Sequence, residues 1–356
     1  MLTLITQRAQ HWFTPVASTS RIVELDALRG LAALAVVFYH YTRRYDQIYG
    51  HTSGLPFQVA VGQYGVQLFF IISGFVILMS LEHTKRVQDF IVKRLVRLYP
   101  TYWMAIALTF SLVALFGLPG REVSLYHALL NGVMVHAFWQ IPNVDGVYWT
   151  LFHECIFYVV MVGIFVMRLL PHIEWVGAAW LSIITLEQHD LLIEIPESLE
   201  PWFLIEYGYL FIMGIVLYRI HTRGASVLRY NLLAACFASQ VAYYPEVERH
   251  LMVMGFIMAF SLIKTGHLRA IAIPPLLALG TLSYPLYLTH QNIGYIIIRA
   301  LEGGGLSPSV SIVIAMSAAI AIALLITRYV EQPTLLWLKQ HYRRRPWALK
   351  HKSEGV

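Results

Sequence analysis

Apolar residues in this chain fall in blocks of about twenty, the length at which a helix crosses ~30 Å of hydrocarbon. Inside lipid every backbone polar group must find its partner within the protein, which leaves helices and closed barrels as the available forms. The alternating pattern of a barrel strand is missing, so the blocks read as helices. Composition agrees. Of 356 residues, 58% are hydrophobic and 13% charged, against roughly 25% charged in soluble domains, and the mean hydropathy is +0.60. A soluble domain of this size would need far more polar surface to cover its core. The expected fold class is an all-α integral membrane protein.

Eleven apolar segments can be marked, at about 27–43, 62–82, 99–118, 125–140, 147–170, 173–187, 202–221, 228–244, 249–266, 280–300 and 308–330. Basic residues mark the cytoplasmic side of a membrane. The cluster Lys85, Arg86, Lys93, Arg94 and Arg97, the loops with Arg219, Arg223, Arg229, Lys264 and Arg269, and the C-terminal Arg343, Arg344, Arg345, Lys350 and Lys352 fall on one side by this rule. The acidic stretch 187–200 falls opposite. Counting from both directions puts residues 119–124 and 141–146 outside. Segment 125–140, interrupted by Asn131, His136 and Gln140, is therefore expected to be re-entrant or interfacial. About ten spans remain, with both termini cytoplasmic and a cytoplasmic surface helix at about 85–98. Arg43 and Arg44 oppose the charge rule on the outer side. Residues 1–20 lack a signal peptide's basic start and read as an interfacial segment. Residues 21–334 form one membrane domain and 335–356 a basic tail. The formal net charge of +6 lies in short loops and tails, so nucleic acid is not an expected partner. Cys155 and Cys236 show no metal-ligand spacing, and no metal is expected. The oligomeric state is not readable.

Ionisable residues inside a span are costly unless they face a cavity or a partner, so they point to function. In the first segment Asp26 and Arg29 share a helix face. His40 lies eleven residues beyond Arg29, three turns and ~16 Å further along nearly the same face. An interfacial anchor with a hydrogen-bonded histidine fits as well as a site. In the second segment Gly65, Ser73 and Gly74 suit close helix packing, while Gln67 is free to face a cavity. Arg94 and Arg97, one turn apart, suit a pyrophosphate or anionic lipid. His153 and Glu154 are adjacent, so only one can face a given cavity. Glu154 suits orienting an imidazole or holding a sugar hydroxyl, or a purely structural bond. His290 follows Pro285, which is expected to kink its helix.

Six stretches, in order, resemble the bacterial membrane acyltransferase family 3: "LDALRGLAALAVVFYH", "GVQLFFIISGFVI", "FIVKRLVRLYPTYW", "YWTLFHECIFY", "LGTLSYPLYLTH" and "RYVEQP". The resemblance spans about residues 22–334. It places the family's Arg-x10-His motif on Arg29 and His40 and its Arg-x-x-Arg motif on Arg94 and Arg97. Gln67 stands where members usually carry Asp. The Trp and Glu of a "WSLxxE" stretch fall on Trp149 and Glu154. No stretch corresponds to the soluble hydrolase-like domain of some members.

The resemblance implies O-acylation, by acyl-CoA as co-substrate and with acetyl-CoA the expected donor, of a sugar hydroxyl on a cell-surface or exopolysaccharide glycan. It implies a carbohydrate or glycolipid acceptor, contact with membrane lipid and a place in the bacterial inner membrane. His40 and Glu154 are then the expected catalytic residues. Arg29, Arg94 and Arg97 would hold acyl-CoA, with Asp26, Tyr284 and His290 in support. The residues alone also fit a transporter or channel for an anionic solute. The missing internal repeat argues against that alternative.

Overall fold

The computed structural model describes residues 22–189, 195–196 and 199–343. The expected interfacial segment at 1–20, the end of the basic tail and the middle of the acidic stretch lie outside them. The elements are α1 (Val23–Tyr39), a π-helical turn (His40–Arg44), α2 (Tyr45–Tyr49), α3 (Gly65–Glu82), α4 (Val87–Phe116), α5 (Leu125–Leu130), α6 (Trp149–Val166), α7 (Ile173–Gln188) and α8 (Glu200–Phe203). They continue with α9 (Gly208–Arg223), α10 (Val227–Tyr243), α11 (Val247–Lys264), α12 (Pro274–Gly303), α13 (Pro308–Ile326), a second π-helical turn (Thr327–Glu331) and α14 (Gln332–Arg343). There is no strand among the described residues.

Among the described residues, five helical stretches are long and apolar enough to cross a membrane: Ala60–Glu82, Val87–Phe116, Gly146–Val166, Glu200–Arg223 and Pro308–His341. α1 and α12 fall short of that apolarity because they carry the polar residues noted above. Segment 125–140 holds only the six-residue α5 and a single 3-10 turn at His136–Trp139. Six residues rise ~9 Å, far less than a bilayer core. One expectation changes. The surface helix at 85–98 is not a separate element, because α4 runs unbroken for 30 residues through Pro100. α12 likewise runs 30 residues through Pro285. The start of the expected tail is helical, as α14.

Bare backbone contacts set the helix spacing. α1 lies along α12, and α3 along α9. A Cβ on Gly280 of α12 would stand 2.0 Å from the Asp26 carbonyl oxygen, and one on Gly30 of α1 would stand 2.6 Å from that of Leu276. At the other pair, a Cβ on Gly74 would meet the Phe211 carbonyl at 2.1 Å. Small residues permit this approach because lipid supplies no hydrophobic drive between helices, and close packing must supply the attraction. Gly74 and Gly65, the latter against Ala32, thus serve packing as expected.

Polar stitching fixes the loop before α6. Asp145 accepts from the backbone N–H of Val147 (3.2 Å) and of Asn292 on α12 (3.0 Å), and the Asn292 side chain donates to the Val144 carbonyl (2.9 Å). These bonds seat Gly146 against Gln291.

Candidate active site

Two cavities meet inside the bundle. The narrower one, about 90 Å³, is lined by Arg29 of α1, Ser73 of α3, Arg94 and Arg97 of α4, Glu154 and Tyr158 of α6, and Tyr284 of α12, with apolar side chains between them. The wider one, about 390 Å³, is lined by Tyr39, His40, Arg44, Tyr64, Gln67, Arg121, Trp149, Tyr207, Arg249 and Gln291, among others. Val66 and Tyr287 line both, so these two side chains form the wall between them.

The spacing in α1 has a direct consequence. Arg29 and His40 lie on nearly one face, three turns apart, and they open into different cavities. His40 begins the π-helical turn, where the backbone N–H of Tyr45 reaches back to the His40 carbonyl. Such a widened turn is often found at functional sites.

His40 and His290 touch. His290 Nδ1 lies 2.8 Å from the Tyr287 carbonyl and 3.1 Å from that of Leu286. A carbonyl only accepts, so this nitrogen carries the proton and the other, Nε2, is left as an acceptor when the ring is neutral. His290 Nε2 lies 3.0 Å from His40 Nδ1. His40 Nδ1 is also 2.9 Å from the Val36 carbonyl. Both contacts require a proton on His40 Nδ1, shared between two acceptors. In neutral His40 the lone pair therefore sits on Nε2. The Val36 carbonyl and, through His290, the backbone of α12 together determine which His40 nitrogen can take a proton.

Glu154 lies with the arginines rather than with His40. Its Oε1 accepts from Ser73 Oγ (3.2 Å) and from the Tyr158 hydroxyl in a short bond. Ser73 thus serves this network and not only helix packing. The Arg94 guanidinium sits 5.8 Å from the Tyr158 ring centroid and 5.3 Å from that of Phe90, within the range of cation–π attraction. Tyr284 donates to the Leu98 carbonyl (3.1 Å) and ties α12 to α4. Asp26 lies one turn before Arg29, where its backbone meets Gly280. His153 is not among the residues lining either cavity. Its Nδ1 donates to the Trp149 carbonyl (3.0 Å), and its ring packs among Phe70, Trp149, Phe152 and Tyr207.

The wider cavity brings in residues that sequence reasoning did not single out: Tyr39, Arg121, Tyr207, Arg249 and Gln291. One signal did point to it. Arg44, half of the basic pair that opposes the charge rule, lines this cavity. Gln67 lines it too, with its amide oxygen buried and unpartnered among the described residues.

Residues 22–328 match the family described as "Acyltransferase domain". The exopolysaccharide production protein ExoZ of Rhizobium meliloti (strain 1021) is 25% identical over 295 residues, 77% of this chain and 90% of that protein. ORF330 of Acidianus two-tailed virus, whose name marks it as a candidate acetyltransferase, is 32% identical over 125 residues, 35% of each chain. No solved structure matches. With the family's match covering most of its length, this chain belongs to the acyltransferase family and is a membrane acyltransferase.

Proposed function

We propose that the protein moves an acyl group, in the first instance acetyl, from cytoplasmic acyl-CoA to a sugar hydroxyl of an extracytoplasmic glycan. The observation that carries this reading is the pair of cavities with a shared wall at Val66 and Tyr287. Three guanidinium groups line one cavity, and an imidazole whose lone pair in the neutral form sits on Nε2 lines the other. The placement in the cell inner membrane, ten spans and both termini cytoplasmic belongs to the same reading. It follows from the basic loops, and it puts Arg94 and Arg97 toward the cytoplasm and His40 in the outer half.

Arg29, Arg94 and Arg97 hold the phosphates of acyl-CoA, since guanidinium forks match phosphate oxygens with two bonds at once. Tyr158, held by Glu154, orders Arg94. The acyl thioester passes between Val66 and Tyr287 to reach His40. There the acceptor hydroxyl attacks the thioester carbonyl carbon while its proton moves to His40 Nε2. The C–O bond forms, the C–S bond breaks, and the proton passes from Nε2 to the departing CoA thiolate. The products are an acyl ester and CoA, and the imidazole returns to its neutral form. Asp26 supports Arg29 from the preceding turn. ExoZ, named for exopolysaccharide production, supports a polysaccharide acceptor.

The test is purified protein incubated with radiolabelled acetyl-CoA and a surface-glycan fraction. The expected result is base-labile label in the glycan and an equal amount of released CoA. A glycan that stays unlabelled, with no CoA released, contradicts the reading.

A further inference from the structure

The wider cavity carries more positive charge than proton transfer needs. Arg44, Arg121 and Arg249 line it, and no lining side chain among the described residues is acidic. The nearby carboxylates have other partners. Glu122 accepts from the backbone N–H groups of Leu118 and Arg121 (3.2 Å each), Asp145 from those of Val147 and Asn292, and Glu206 from the Tyr207 hydroxyl (2.5 Å). Arg249 is matched by Glu246 at 3.4 Å and by the Tyr244 ring, whose centroid is 3.7 Å away. Arg44 is bonded to the neutral amide of Gln47 (3.3 Å).

Arg121 is placed differently: its hydrogen-bond partner is the neutral Tyr49 hydroxyl, and the Asp145 carboxylate, bonded to backbone N–H groups, acts on it only through space. A Cβ on Gly146 would come within 2.9 Å of Arg121 Nη1 and 2.5 Å of Gln291 Oε1, so the guanidinium and the amide oxygen converge over one bare glycine. Gln291 Nε2 donates to the Tyr295 hydroxyl (3.4 Å), which leaves Oε1 facing Gly146. Gln291 is 4% exposed and Gln67 5% exposed. Both amide oxygens lack a donor among the described residues. A buried acceptor left without a donor costs free energy that a ligand's hydroxyl can recover.

We propose that this cavity binds an acceptor sugar bearing an anionic group, a carboxylate or a phosphate. Arg121 and Arg44 take the anion, Gln67 and Gln291 accept from sugar hydroxyls, and the Trp149 ring covers the sugar's apolar face. The inference rests on the reading of this cavity as the acceptor site. It narrows the acceptor from any glycan to an acidic one.

The test is calorimetric binding to the full chain in phosphatidylcholine nanodiscs, without acyl-CoA. The probes are two matched pairs: cellobiose with cellobiouronic acid, and glucose with glucose 1-phosphate. At least one charged member is expected to bind about tenfold or more tightly than its neutral partner, as a charge-assisted hydrogen bond would give. Which charged member gains more distinguishes carboxylate from phosphate. R121Q removes the preference, R121K keeps most of it, and Q67D, which adds a negative charge, weakens the charged sugar selectively. Equal binding within both pairs, no binding of any charged member, or a preference unchanged in R121Q overturns the proposal. A preference that vanishes when phosphatidylglycerol replaces part of the phosphatidylcholine gives the anion site to a lipid headgroup and also overturns it. An intact preference in a protein that transfers no acyl group faults the acyl-transfer reading alone.

Discussion

His290 Nε2 stands 3.0 Å from His40 Nδ1, across an interface where α1 and α12 touch backbone to backbone. His290 has its other nitrogen on the Tyr287 carbonyl, so it presents a lone pair to His40 and, together with the Val36 carbonyl, holds the His40 proton on Nδ1. His290 is in this account a positioning residue. Replacing it with Ala is expected to lower kcat by ~10²-fold, a typical share for a correctly placed base, with little change in the KM for acyl-CoA. H290Q, whose amide oxygen can accept the same N–H, is expected to recover part of the loss. A histidine that served packing alone would not be rescued this way. Steady-state kinetics on the three proteins decides the matter.

The arginines of the narrower cavity should affect the donor and not the acceptor. R94A and R97A are each expected to raise the KM for acyl-CoA about tenfold, the scale of one charge-assisted hydrogen bond, at nearly constant kcat. R94K and R97K should fall between, because an ammonium is a point charge without the two-bond fork. The assay is initial rate against acyl-CoA concentration, and an unchanged KM in both alanine variants contradicts the donor site.

Val66 gives a test of the passage. V66W puts an indole in the wall shared by the two cavities. Acyl-CoA binding should persist while transfer falls by at least about tenfold, since a 1 Å misplacement of reacting groups can cost ~10²-fold. Loss of CoA binding together with transfer would indicate general damage.

Gly280 is the packing counterpart. G280V forces a side chain to within 2.0 Å of the Asp26 carbonyl. Overpacking of this kind costs about 1–3 kcal/mol, and it pushes α12, with His290, away from α1. A lower melting temperature and reduced turnover are expected together. A variant as stable and active as the parent would mean that this contact is dispensable.

Much of this arrangement was legible in the chain. Block length foretold the helices, and Arg29 in α1 and His40 at the start of the π-helical turn are carried by one continuous helical stretch. The rest depended on distance across the bundle. Arg121, Tyr207 and Arg249 sit in or beside short loops, where no periodicity links them to His40, and only folding brings them to one cavity. The His40–His290 contact joins residues 250 positions apart. Neither histidine's neighbours in sequence announce the other. The continuity of α4 was hidden because a basic amphipathic stretch and an apolar span look like two elements when read by hydropathy. A proline at position 100 looks like their boundary.

The central claim is that His40 Nε2 takes the proton of the acceptor hydroxyl. It is tested most directly in cells lacking the gene and supplied with either the parent or the H40A variant at equal membrane abundance, by mass spectrometry of their surface and exported glycans. O-acyl esters are expected to be restored by the parent and absent with H40A. Equal O-acylation with both proteins would contradict it.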